Sequence, residues 1–473
     1  MRIKKTRHWL GIALCLIGLL LTSCGSSSSS SSNDTPLTPV PDNTSIDWND
    51  LGSYFDTVIY PRITDKFSTP LDVDNNNQVV ILFYTLNSAQ SNIGGYFWSG
   101  DLFLTTGSNQ MELLYMNKSL FNTSTQAVKD TIAHEFQHLV NASQKIRIGE
   151  ENNASAVLMD TWMDEGLAEC AADYSKDSVL TEHVNNFKND TSHSFRNGFP
   201  LVKWEYDFDN YTLSYLFFQY CQLQSDNTIG IYKQLINHTL GDYRAVEAVV
   251  GAQNTQFNTF SDIFSTFRAA NLAQQSTGIY GYSSRSGDFN FGPLKNASQT
   301  VSSLKSGGGI ALYPSQSNLS NFTPDSGIDE RIQYLRINGS NNQSSHAQLT
   351  NLSIAGYTGE ALLVLNTSGD ASVSGVTIGT VPTSNSPQSR EIVTSQREAR
   401  LLRDIPFRST NSKTGMQTAL TRKKIYPPSQ LSYQTDTAVF QTYNFESQLN
   451  NIPITASLRY GGPTTNCLIY SAN

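Results

Sequence analysis

The sequence predicts an α+β fold, with a helix-rich first part that carries a small β-sheet and a β-rich second part. Three observations lead there. Apolar residues recur at helical spacing in several stretches between 48 and 275. A short run of β-branched and aromatic residues stands at 79–84, and beyond about 295 the pattern changes to brief alternating runs separated by Gly, Ser and Asn. A length of 473 residues is enough for about three domains, or one large domain with an appendage.

The elements follow in order. From Trp48 the apolar positions Leu51, Phe55, Val58 and Ile59 keep helical spacing until Pro61, which predicts one amphipathic helix ending there. A polar turn precedes the buried strand Val79 to Tyr84. That turn, Asp72-Val73-Asp74-Asn75-Asn76, imitates the first half of a calcium loop, but Phe83 stands where the bidentate Glu belongs, so a plain turn is the first reading and calcium the second. Tyr96 to Leu104 and Met111 to Tyr115 flank Gly107-Ser108-Asn109 as a hairpin would. Residues 124 to 143 read as a helix, with Val128, Ile132, Phe136 and Val140 toward the core. Helical patterns then dominate 178 to 275, including Tyr211 to Cys221, Ile229 to Ile236 and Phe260 to Leu272. Strands are expected at Ile332 to Ile337, Leu349 to Ile354 and Ala361 to Leu365, in a β domain of its own.

Charge and composition narrow the function. Lys and Arg total 32 against 40 Asp and Glu, a net charge of −8, and charged residues are 15% of the chain. Phosphate binding needs a surplus of cations, which argues against a nucleic-acid partner. The basic stretch 390 to 424 reads first as a solvated helix and linker, and second as a contact for an anionic surface. Cys170, Cys221 and Cys467 allow at most one disulfide and read as buried free thiols.

The N-terminus reads as an address. Arg2, Lys4, Lys5 and Arg7 precede an apolar run, Trp9 to Leu21, too short to span a bilayer and laid out like a secretory signal. Leu21-Thr22-Ser23-Cys24-Gly25 resembles the lipobox of bacterial lipoproteins, which implies cleavage before Cys24 and acylation of that residue, palmitate included. Ser26 to Ser32 are consecutive serines that open a tether. The expected location is the bacterial cell envelope, lipid-anchored and facing outside the cytoplasm.

The chemistry concentrates in His134-Glu135-Phe136-Gln137-His138. Two histidines four apart on one helical face lie close enough to hold one zinc ion, and Glu135, one residue along, stands where it can take a proton from bound water. Downstream is Trp162-Met163-Asp164-Glu165-Gly166-Leu167-Ala168-Glu169, in which Glu165 and Glu169 are again four apart. One can complete the metal site while the other accepts the free ring N–H of a ligand histidine. The alternative is a structural zinc site, which four protein ligands would close.

H-E-x-x-H followed by E-G-x-x-E resembles the gluzincin clan of zinc metallopeptidases, and the wording around both motifs is closest to the hyicolysin family. The resemblance spans roughly 48 to 270. It implies His134, His138 and Glu165 as ligands of one Zn²⁺, Glu135 as general base and Glu169 as the acid behind the ligands. Tyr96-Phe97-Trp98 is similar to the edge strand on which thermolysin-like enzymes lay out substrate, with core packing as the competing reading. Tyr211-Thr212-Leu213-Ser214 is similar to the segment bearing an oxyanion-stabilising Tyr; Tyr211 is the choice, with Tyr215, His193 and His183 as alternatives. No G-A-M-E-N strand is present, which favours an endopeptidase acting on proteins or peptides. The rival from another class is a binding or adhesin lipoprotein on a metallopeptidase scaffold, against which the intact Glu135 argues.

These readings divide the chain into a signal peptide (1–23), a tether (24–46), a metallopeptidase domain (47–290), a β-rich domain (295–385), a basic linker (386–433) and terminal strands (434–473). Ala456-Ser457-Leu458-Arg459-Tyr460 and Cys467-Leu468-Ile469-Tyr470 look like a segment that in related proteins precedes the first helix. Under a circular permutation they would extend the catalytic sheet beside Val79 to Tyr84; otherwise they finish the β domain.

Overall fold

The computed structural model describes residues 46–472 apart from 87–93, 104–106, 119–124, 226–229, 298–301, 314–318, 320–321, 339–345, 377–441 and 447–452. The signal, lipobox and tether expected before residue 46 lie outside the described residues, as does the basic stretch 390 to 424. Among the described residues no helix is long and apolar enough to cross a membrane.

The first helix does not stop at Pro61. Helix α1 (Trp48–Tyr54) passes through a π-helical turn (Phe55–Ile59) into α2 (Tyr60–Lys66), and Tyr60 N–H bonds to Phe55 O, five residues back. Pro61 stands at the start of α2, where the wider turn accommodates its ring and its missing N–H. The strand β1 (Val79–Tyr84) follows and is buried on both faces. Val79, Ile81 and Phe83 enter the main core, while Val80, Leu82 and Tyr84 enter a second cluster across the sheet. β2 (Gly95–Phe97) is shorter than the alternation implies, because the chain turns into a 3₁₀ segment (Ser99–Leu102) before β3 (Leu113–Asn117). Asp101 makes that turn: buried, it accepts bonds from Asn109 N (2.7 Å) and Tyr115 Oη (2.6 Å), satisfied only if the strand is abandoned.

The helices are α3 (Thr125–Glu151), α4 (Thr161–Lys176), α5 (Thr181–Asn189), α6 (Phe208–Leu223), α7 (Ile231–Ile236), α8 (Tyr243–Gln253) and α9 (Phe260–Ala273). The β-rich part contributes β4 (Ser303–Leu304), β5 (Gly309–Leu312), β6 (Ile332–Ile337), β7 (Leu349–Leu352), β8 (Ala361–Asn366) and β9 (Val373–Ser374), and the chain closes with β10 (Thr442–Glu446), β11 (Pro453–Tyr460) and β12 (Cys467–Ala472). The content is mixed helix and sheet, an α+β fold.

The six-stranded sheet has the order β10-β11-β12-β1-β3-β2. β12 runs parallel to β1, Val79 opposite Cys467 and Phe83 opposite Ser471. The hairpin of β11 and β12 is tied to the first helix as well: Tyr460 Oη donates to Asp56 Oδ2 at 2.7 Å and Asn466 N to Asp56 Oδ1 at 2.7 Å. Gly52 is required there, since a Cβ would land inside the Tyr460 ring.

The other sheet, β5-β8-β6-β7, turns Leu335, Ile337, Leu363 and Leu365 into the same core as the helices, and buried Arg268 of α9 bonds to Gly309 O. Cys170, Cys221 and Cys467 are buried free thiols.

Candidate metal centre

The site is carried by two helices packed side by side. α3 is pinned from beneath by Phe136, which stacks on Tyr60 (5.6 Å between centroids) and meets Phe55 edge-on (5.2 Å), so His134 and His138 project from the other face. α4 is pressed against α6 at Gly166, where a Cβ would meet Phe218 at 2.7 Å and Ser214 Cβ at 2.8 Å. That close approach, with Trp162 stacked on Phe218 at 5.5 Å, turns Glu165 and Glu169 toward α3.

Three ligand atoms converge. His134 Nε2 is 3.1 Å from His138 Nε2 and 3.2 Å from Glu165 Oε2, and His138 Nε2 is 3.4 Å from the same oxygen. The centre of this triangle is roughly 1.9 Å from each corner, against Zn–N and Zn–O distances of about 2.0–2.2 Å. Two imidazole nitrogens and one carboxylate suit zinc. Among the described residues the group offers three protein ligands, the number of a catalytic site, not the four of a closed structural one.

Glu169 does not complete the set. Its Oε1 is 3.4 Å from His134 Nδ1, behind the ring, and its Oε2 is 3.1 Å from His183 Nε2. His183 is wholly buried, its Nδ1 3.1 Å from Thr212 Oγ1. On the other ligand, Asp164 Oδ1 lies 3.1 Å from His138 Nδ1 and accepts from Asn141 Nδ2 at 2.5 Å. Each ligand ring thus has a carboxylate at its back, which fixes its orientation. Sequence reasoning did not assign Asp164 or this role of His183. Asp164 was detectable as the acid just before Glu165, whereas nothing in the spacing ties His183 to Glu169.

Burial raises the Glu165 and Glu169 carboxyls, but the facing histidines outweigh it and hold both below the usual range, Glu169 well below. Burial lowers the His134 ring; bonds to Glu165 and Glu169 override it and bring it up to about 10. His138 is raised well above its usual value, burial being outweighed by Asp164 and Glu165. Glu135, 6% exposed, is raised by burial, with the two rings pulling the other way.

β2 is the outermost strand of its sheet among the described residues. Tyr96 and Phe97 are buried to opposite sides, Tyr96 stacked on Tyr115 at 4.3 Å and Phe97 in the main core, so their side chains pack while the strand lies at the edge; Trp98 is half-buried. Tyr211 is buried on α6, edge-on to Trp204 at 4.9 Å. Of its alternatives, Tyr215 Oη is committed to Asp173 (2.5 Å), His183 to Glu169, and His193 is exposed.

No family model matches the chain. The chain is 30% identical over 302 residues to the neutral metalloprotease ShpI of Staphylococcus hyicus, an alignment covering 61% of this chain and 66% of that protein. The identity bears out the resemblance read from the two motifs: this chain is related to that metalloprotease.

Proposed function

We propose, from kinship with the neutral metalloproteases as the premise, that this chain is a zinc-dependent endopeptidase hydrolysing peptide bonds of proteins, anchored at the outside of a bacterial membrane through lipid on Cys24. The observation that carries the catalytic part is the three-atom convergence of His134, His138 and Glu165, with Glu135 on the same helix as the two histidines.

His134, His138 and Glu165 would hold the zinc, which would supply a Lewis acid for the water and the carbonyl. Glu135 accepts the proton of the attacking water and passes it to the leaving amine; a carboxyl raised by burial is a stronger base than an exposed one. Glu169 and Asp164 hold the backs of the two ligand rings. A strand at the end of the described sheet, as β2 is, suits an extended peptide, which adds as one more strand through backbone hydrogen bonds. Tyr211 would donate its hydroxyl to the oxyanion.

The test is casein hydrolysis before and after a chelator. Activity should vanish on chelation and return with one equivalent of zinc. A chain that binds casein without cleaving it in either state would support the binding lipoprotein instead.

A further inference from the structure

The turn before β1 meets a partner that sequence spacing did not reveal. Asp72, Asp74 and Asn76 keep the one-three-five spacing of a calcium loop, and Asn77, at the sixth position, is left-handed with φ 57°, where such loops place Gly. The twelfth position is Phe83, which points into the main core. A glutamate arrives from elsewhere: Glu112, immediately before β3, brings its carboxylate to the turn, so that one oxygen each from Asp72, Asp74 and Glu112 lie within 4.8 Å of one another.

Glu112 is 1% exposed. Its Oε1 accepts from Val73 N at 2.6 Å, while Oε2 has no hydrogen-bond partner among the described residues. A buried carboxylate with one oxygen unpartnered, gathered with two further carboxylates, carries a large desolvation cost unless a cation or a proton offsets it. We propose that Asp72, Asp74 and Glu112 form a second metal site, separate from the histidine centre, that binds one calcium ion and pins the Asp72–Gln78 turn to the start of β3.

The donor chemistry selects the ion. All three groups offer hard oxygen, with no nitrogen or sulfur, and a turn rich in Asn and backbone carbonyls can fill the larger shell calcium takes. Burial, and then the other acids of the cluster, raises Glu112 to about 8 and Asp74 to about 6, as expected of carboxylates gathered without a counter-charge. The place matters to the fold. Val80 N bonds to Glu112 O at 2.7 Å, and Gln78 Nε2 donates to Gly462 O (2.7 Å) and Thr465 O (2.8 Å), so the turn joins the beginnings of β1, β3 and β12.

The experiment is calorimetric titration of the full chain, zinc supplied, with calcium chloride. One equivalent should bind with a Kd at or below the order of 1 mM, the weak end for calcium modules. Glu112→Gln, nearly isosteric, and Asp74→Asn, on the more exposed side, should each weaken binding at least ~10-fold with zinc content unchanged. If Glu112→Gln does not fold, Asp74→Asn carries the comparison alone. Absence of saturable binding, or one-equivalent binding indifferent to these substitutions, would overturn the site. The zinc measurement keeps either result apart from failure of the histidine centre.

Discussion

Glu169 and His183 form a buried pair, Oε2 to Nε2 at 3.1 Å, directly behind the ligand ring of His134. One carboxylate therefore holds a ligand histidine with one oxygen and is held by a second histidine with the other. His183→Ala should leave the helices folded and weaken zinc affinity by roughly 10-fold, with His183→Gln recovering part of the loss, as read by competition with a chelator. Glu169→Ala should cost about 10 to 100-fold, and Glu165→Ala should lose the metal altogether. The reverse order for the two glutamates would exchange their roles.

Gly166 sets the distance between α4 and α6. Gly166→Ala drives a methyl group into Phe218 and Ser214, neither of which can retreat inside the core, and should destabilise the protein by about 1–3 kcal/mol. A thermal melt reads this as a Tm lower by several degrees; an unchanged Tm would mean that the helix pair can separate freely.

Asp101 gives a pH signature. Burial raises its carboxyl to about 7, despite bonds from Asn109 and Tyr115. The unfolded value is about 3.9, so the folded protein holds an extra proton between these two values. Its stability contribution is complete at the acid end and is lost as pH rises through 7. The Tm of the wild type minus that of Asp101→Asn should therefore fall from pH 5 to pH 8; a constant or growing difference would contradict this.

Sequence patterning reached the parts of the site built by a local rule. His134 with His138, and Glu165 with Glu169, are four-residue pairs on helices, and helix geometry alone brings each pair to one face. His183, on α5, joins through packing among α4, α5 and α6, which no spacing encodes. Pro61 fails as a helix stop because the π turn before it absorbs the ring. The strand expected from Tyr96 ends early because the hydrogen bonds of Asp101 outweigh the alternation around it. β12 pairs with β1 across nearly a whole chain; the wording of the terminal strands points to Val79 to Tyr84 as their neighbour, while the register itself leaves no local trace.

The proposed anchor makes a separate prediction. Cys24→Ala removes the acylation site and should shift the protein from the membrane fraction to the soluble one, since stable anchoring takes more than one acyl chain. Retention after a salt wash would point to an uncleaved N-terminal helix.

The central claim is that Glu135 is the base of a zinc peptidase and His134, His138 and Glu165 are its ligands. Zinc content and casein hydrolysis measured together on Glu135→Gln test it most directly. One zinc per chain, unchanged, with activity lower by several orders of magnitude is the expected result, because the base is removed and no ligand is lost. Proteolysis retained at full metal content would contradict it.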